Sequence, residues 1–229
     1  MLLGGLQKTT LIDYPGKVAA TVFTTGCAWR CLYCHNPELV IPAQYAAPLD
    51  QDVLFTFLER RRGKLEAVCI TGGEPTLHQD LRAFIARIKQ LGFLVKLDTN
   101  GTYPEHLERV LADGNVDYVA MDIKGPLDRY AKIVGTGVSL HSIKRSIKLI
   151  MTSGYDYEFR TTVAAPLLAL VDFTAIGELI VGAPRYFLQN YVKAPKCVVP
   201  GAQLAAMTPV QLQEIKAVME QYVTFVAIR

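Results

Sequence analysis

The chain has 229 residues, 51% hydrophobic and 20% charged, with 17 Gly and 12 Pro, a globular balance that excludes intrinsic disorder as the main state and is enough for one substantial core. Lys and Arg number 24 against 21 Asp and Glu, a net charge of +3, so no electrostatic footprint points to nucleic acid or to an anionic membrane. Mean hydropathy is +0.22, yet no stretch approaches the ~18 apolar residues of a membrane span, and residues 1–8 lack a basic-then-apolar signal; a cytoplasmic protein is expected.

Apolar runs and helical stripes alternate along the chain. Residues 17–24 are β-branched and apolar and predict a buried strand. After an irregular stretch at 36–48, residues 50–62 carry Val53, Leu54, Phe57 and Leu58 at helical spacing, with Asp50 as cap. Strand 65–71 follows, then helix 80–91, whose Leu81, Phe84, Ile85, Ile88 and Leu91 form one stripe ended by Gly92. The pattern continues with strand 93–97, a helix from Pro104 to about 113, strand 116–123, helix 140–153 and strand 158–163. It ends with helix 172–181, strand 185–191, helix 208–222 opened by Pro209, and strand 223–228. Such a series predicts an α/β fold with a parallel sheet, one domain over 1–229, curled into a partial (β/α)6-type barrel. An open doubly wound sheet fits the same periodicity.

In either architecture ligands gather at the carboxyl ends of the strands. The chemistry-bearing residues fall there: a cysteine group after the first predicted strand, Gly72-Gly73-Glu74-Pro75 after the second, Asp98-Thr99-Asn100-Gly101 after the third, and Asp122-Ile123-Lys124 at the fourth. Cys27, Cys31 and Cys34 place three soft thiolate ligands within eight residues, in a loop spanning 25–40. Soft thiolates suit zinc or an iron–sulfur cluster. Three cysteines on a cubane leave one iron open, whereas His35 as fourth ligand would make a Cys3His zinc site. Cys69, inside an apolar run, is expected as a core thiol and Cys197 as an incidental loop thiol, so an odd count with no second four-cysteine set is expected to hold one cluster.

The spacing Cys27-x3-Cys31-x2-Cys34 with Tyr33 before the last cysteine, followed one strand later by Gly72-Gly73-Glu74-Pro75, resembles the radical S-adenosylmethionine superfamily. The string from Gln7 to Lys17, then Gly26-Cys27 and Tyr33-Cys34-His35-Asn36-Pro37-Glu38-Leu39, is similar to the glycyl-radical activating branch, above all to activators of anaerobic ribonucleoside-triphosphate reductase. The likeness covers residues 6 to about 190; Ala28-Trp29 departs from the branch pattern, and 192–229 has no assigned role.

The resemblance implies a [4Fe–4S] cluster on Cys27, Cys31 and Cys34, with S-adenosylmethionine on the open iron, cleaved to a 5′-deoxyadenosyl radical that abstracts hydrogen from a glycine of a partner enzyme. It implies S-adenosylmethionine contacts from Tyr33 beside the adenine, His35, Gly72, Gly73, Glu74 at the amino group, Asp98, Asn100, Lys124 and Arg160, and a monovalent cation at Asp98, Thr99 and Asp122. A carboxylate ending an apolar strand needs a cationic or hydroxyl partner in any case, so Asp98 is expected to have one. An external electron donor such as flavodoxin or ferredoxin is also implied. The same chemistry on a small molecule, such as a deazapurine precursor, and a non-catalytic zinc or electron-transfer module are the competing readings.

Overall fold

The computed structural model describes residues 1–229. One sheet of eight strands runs through it in sequence order: β1 (Leu3–Thr10), β2 (Ala19–Thr24), β3 (Ala67–Gly72), β4 (Leu94–Thr99), β5 (Tyr118–Asp122), β6 (Asp156–Val163), β7 (Arg185–Asn190) and β8 (Phe225–Ile228). β1 is antiparallel to β2, and β2 to β8 are parallel throughout. The connecting helices are α1 (Pro37–Val40), α2 (Gln51–Arg61), α3 (Leu81–Gln90), α4 (Pro104–Ala112), α5 (Tyr130–Val134), α6 (Leu140–Met151), α7 (Asp172–Leu179) and α8 (Pro209–Met219).

The strand order decides between the two architectures. A doubly wound sheet reverses its order at a switch point, whereas right-handed crossovers between strands in sequential order keep every helix on one side and curl the sheet. Six β/α units and a closing strand follow β1, and the first and last strands do not pair, so the barrel is partial.

The caps follow the sequence. Asp50 accepts the Asp52 N–H ahead of α2, and Thr208 with Gln211 forms a capping box behind which Pro209 opens α8. The stripe Leu81, Phe84, Ile85 and Ile88 of α3 is buried, each such side chain contributing about 1.5–3 kcal/mol of burial.

Two features differ from expectation. β1 was not foreseen, because Gly4-Gly5 and the polar run Gln7-Lys8-Thr9-Thr10 weaken its alternation; it is a half-exposed edge strand with register shifts. The stretch 36–48, expected to be irregular, contains α1 and a 3-10 turn at Pro42–Gln44.

Alternation along the strands separates two environments. Outward residues such as Val22, Val68, Ile70, Val95, Leu97 and Val119 join the helices in the main core. Inward residues are largely polar, and Tyr14, Ala19, Ala67, Cys69 and Tyr118 form a separate apolar plug. Cys69 is thus the buried core thiol that its apolar run predicts. No helix is long and apolar enough to cross a membrane.

Candidate active site

A cavity of about 460 Å³ opens at the carboxyl ends of the parallel strands. It is lined by Cys27, Cys31, Tyr33, Cys34 and His35 of the cysteine loop, Gly72, Gly73 and Glu74 after β3, Asp98, Thr99 and Asn100 of β4 and its loop, Asp122 and Lys124 of β5 and its loop, and Arg160 of β6. Every site residue expected from the sequence therefore reaches one space.

The cysteine loop is held by a backbone bond between its own ends and by bonds with two other segments. Gly26 N–H donates to Leu39 O (2.7 Å), Arg30 and Leu32 donate to Val134 O and Ile133 O (2.8 and 3.2 Å), and Val198 N–H donates to Cys34 O (2.7 Å). The Arg30 guanidinium caps Cys27 O and Trp29 O. Trp29, at the position that departs from the branch pattern, is only 2% exposed and packs edge-on against Tyr130 at 5.7 Å; it anchors the loop. Burial pushes the Cys27 thiol up to about 11 and the Cys31 thiol to about 12, against the favourable charge of Lys124, and it raises Cys34 as well.

The glycine pair serves a closer contact than the ligand. A Cβ on Gly72, whose φ is +114°, would lie 2.4 Å from Thr24 N, and one on Gly73 would lie 2.1 Å from Gly26 O. Only hydrogen fits in both places, so the β3 turn docks on the root of the cysteine loop through Gly73 N–H to Thr24 O (2.8 Å) and Glu74 N–H to Gly26 O (2.7 Å). His78 and His106 brace this junction, bonding Thr25 O (2.9 Å) and Thr76 O (2.7 Å).

Glu74 is 1% exposed and already committed. Its carboxylate accepts from Thr76 N (3.0 Å), the Thr76 hydroxyl, Thr99 Oγ1 (2.7 Å) and Asn100 N (2.7 Å). It ties the β3 turn to the end of β4, a bracing role the sequence reading did not give it. Burial raises its carboxyl above the ordinary range against the pull of these donors. Glu74→Ala is expected to cost about 3–5 kcal/mol, since orphaned buried donors cost about 1–3 kcal/mol each and some regain water. Chemical denaturation measures it, and a loss below about 1 kcal/mol would show that the donors re-pair. Asn100 does two things: Oδ1 closes a turn by accepting from Thr102 N (2.9 Å), while Nδ2 approaches Cys27 Sγ at 3.7 Å.

Deeper in the cavity a chain of charges links three strands. Asp98 accepts from Lys96 Nζ and from Arg160 (3.0 Å), and Asp122 accepts from Arg160 Nε (2.9 Å) and Lys124 Nζ (3.0 Å). Asp98 thus has the cationic partners that its position demands. Burial alone would raise both carboxyls; the charges of Arg160 with Lys96 at Asp98, and of Arg160 with Lys124 at Asp122, hold them below the ordinary range instead. At the position where a cation is expected, all four carboxylate oxygens of Asp98 and Asp122 face protein cations, and Thr99 Oγ1 donates to Glu74 and accepts from Gly101 N (3.1 Å). Lys124 also lies over the Tyr33 ring at 5.5 Å, and the buried Tyr33 hydroxyl has no partner. His35 sits exposed at the rim.

The cavity also takes in Thr162, Gln189, Asn190, Tyr191, Val192 and Arg229, none of them foreseen. Lys96 was missed as well, although it stands two residues before Asp98 and so on the same strand face. Three thiols on one loop, with no fourth lining the cavity, fit a cubane with one iron left for an outside ligand.

A family model for the radical SAM superfamily matches residues 21–168. The chain belongs to the radical SAM superfamily. A protein of Methanocaldococcus jannaschii named as a glycyl-radical enzyme activating enzyme is 30% identical over 236 residues, covering 100% of this chain and 95% of its own length. The pyruvate formate-lyase-activating enzyme of Staphylococcus aureus is 27% identical over 58% of this chain and 57% of its own. Among solved structures, Streptococcus suis SuiB bound to S-adenosylmethionine superposes with a TM-score of 0.68 at 12% identity, covering 91% of this chain and 51% of SuiB, which shows the shared fold. The chain is a radical SAM enzyme that groups with the glycyl-radical activating branch, and its cofactors are a [4Fe–4S] cluster and S-adenosylmethionine. The reading as a non-catalytic zinc or electron-transfer module falls with that assignment.

Proposed function

We propose that this enzyme abstracts a hydrogen atom from the α-carbon of an exposed glycine on a partner glycyl-radical enzyme, and that the partner is an anaerobic ribonucleoside-triphosphate reductase. The observation that carries the first part is the side of the barrel left open between β1 and β8. There a second space of about 450 Å³, lined by Ile12, Asp13, Arg160, Gln189 and Arg229, shares the last three residues with the main cavity. A lateral opening that continues into the site suits a loop of polypeptide better than a small metabolite. The partner's identity rests on the likeness of the segments around Asp13 and Cys34.

When bound, the cluster and S-adenosylmethionine supply a 5′-deoxyadenosyl radical. The chain's own residues hold and orient. Cys27, Cys31 and Cys34 are the thiolate ligands, and Asn100 and the Arg30-capped loop fix their approach. Three cations, Lys96, Lys124 and Arg160, stand against two carboxylates, Asp98 and Asp122, and the surplus positive charge favours a ligand carboxylate beside Lys124 and Arg160. Tyr33, His35 and the Gly72-Gly73 turn form the remaining walls. With Cys69 and Cys197 the only other cysteines, a second four-cysteine cluster has no ligands, so the electron comes from an external donor of the flavodoxin or ferredoxin kind.

The test mixes the anaerobically reconstituted, reduced enzyme and S-adenosylmethionine with purified candidate reductase, and reads electron paramagnetic resonance. A protein glycyl doublet dependent on all components is expected. A product radical on a small metabolite, with no doublet on any glycyl-radical enzyme, would overturn the reading in favour of small-molecule chemistry.

A further inference from the structure

Lys96 is a charged side chain with 1% exposure inside the barrel, outside the cavity wall. Its strand neighbours in register are Cys69 and Tyr118, both members of the apolar plug, so the ammonium stands at the boundary between the plug and the charged layer above it. A lysine is almost never fully buried unless paired, and the partner here is Asp98. Asp98 is in turn shared with Arg160, and Arg160 with Asp122.

We propose that Lys96 is a built-in monovalent cation: its ammonium occupies the charge position beside Asp98 that an added alkali ion would otherwise fill, and it holds the Asp98–Arg160–Asp122 array ready for S-adenosylmethionine without such an ion. The inference rests on S-adenosylmethionine as ligand and not on the identity of the partner. Three observations converge. The ammonium is a compact point charge on a flexible stem, the closest side-chain counterpart of an alkali ion. No carboxylate oxygen of Asp98 or Asp122 is left without a protein cation. Thr99, the neutral oxygen donor of the expected cation set, has its hydroxyl turned to Glu74. Lys96 touches none of the reacting atoms in this arrangement and acts through Asp98, so it is a positioning residue.

The experiment is calorimetric titration of the cluster-loaded enzyme with S-adenosylmethionine under anaerobic conditions, in choline, sodium and potassium chloride at matched ionic strength, with thermal unfolding in the same salts. For the wild type, the dissociation constant is expected to agree within about twofold across the three salts. For Lys96→Met, affinity in choline is expected to fall at least about tenfold, a decade of the dissociation constant, and to recover most of that loss in potassium or sodium; the melting temperature should rise in the same salts. A wild type whose binding collapses in choline overturns the proposal, as does a Lys96→Met enzyme whose affinity ignores the salt. A Lys96→Met chain that folds in no salt overturns it too, because the vacated position would then not be one that an ion can fill. Each readout is binding or folding, so failure to activate any glycyl-radical enzyme would leave the outcome unaffected.

Discussion

Replacing Cys31 by Ala is expected to lower bound iron from about four per chain to below about one, because a cubane with two cysteine ligands has two open irons. Release of 5′-deoxyadenosine from S-adenosylmethionine should fall by at least about a thousandfold, the two cofactors acting as one unit. The fold should survive. Cys31 contributes little buried volume, and the backbone bonds at Gly26, Arg30, Leu32 and Val198 that hold its loop do not involve the thiol, so the apo variant should melt within a few degrees of the apo wild type, the shift expected for about 1 kcal/mol. Iron and sulfide analysis with chromatographic detection of 5′-deoxyadenosine checks both. Full iron retention would mean that another residue completes the ligand set.

Arg160→Met should produce a large loss of stability, comparable with that of Glu74→Ala. It removes one partner from each of Asp98 and Asp122 at once, and breaking a buried pair from one side costs about 3–5 kcal/mol, or roughly 6–20 °C in melting temperature for a domain of this size. The pH dependence identifies the cause. In the wild type the cations hold both carboxyls below the ordinary value of 3.8, so their stabilisation is complete above that value and is lost as pH falls through the lowered folded values. Without Arg160 the effect of burial gains weight and both groups titrate at higher pH. The gap between variant and wild type is therefore widest near neutrality and narrows as pH falls from the variant's raised values toward the wild type's lowered ones, so that it is smaller at about pH 3. Unfolding at the two pH values measures it, and an equal gap at both would trace the loss to side-chain volume instead of charge.

The sequence announces the strand–helix alternation and the cluster of site residues at the strand ends because each depends on local signals. Apolar periodicity marks β3 and α3, and the Cys27–Cys34 spacing lies within one loop. What escaped depends on distance. β1 has a weak pattern because one of its edges faces solvent. Arg229 enters the cavity only because β8 lies beside β7, with Asn190 and Arg229 39 positions apart in the chain, and its guanidinium meets Glu158 at 3.0 Å. Lys96 becomes visible once Asp98 is known to point inward. Glu74 shows a different limit: its place after a strand is legible, but the number of donors gathered on its carboxylate is set by β4 and the 3-10 turn at Pro75–Leu77.

The bond from Val198 N–H to Cys34 O, with the apolar contact of Leu39, Val40 and Val198 around it, gives the carboxyl-terminal stretch a mechanical task. It holds the cysteine loop from outside while the Gly26–Leu39 bond ties the two ends of the loop together, and none of these bonds passes through a thiol. A loop whose path is set by backbone bonds to its neighbours needs none of its three thiols to keep its shape, and all three stay available for the group they hold.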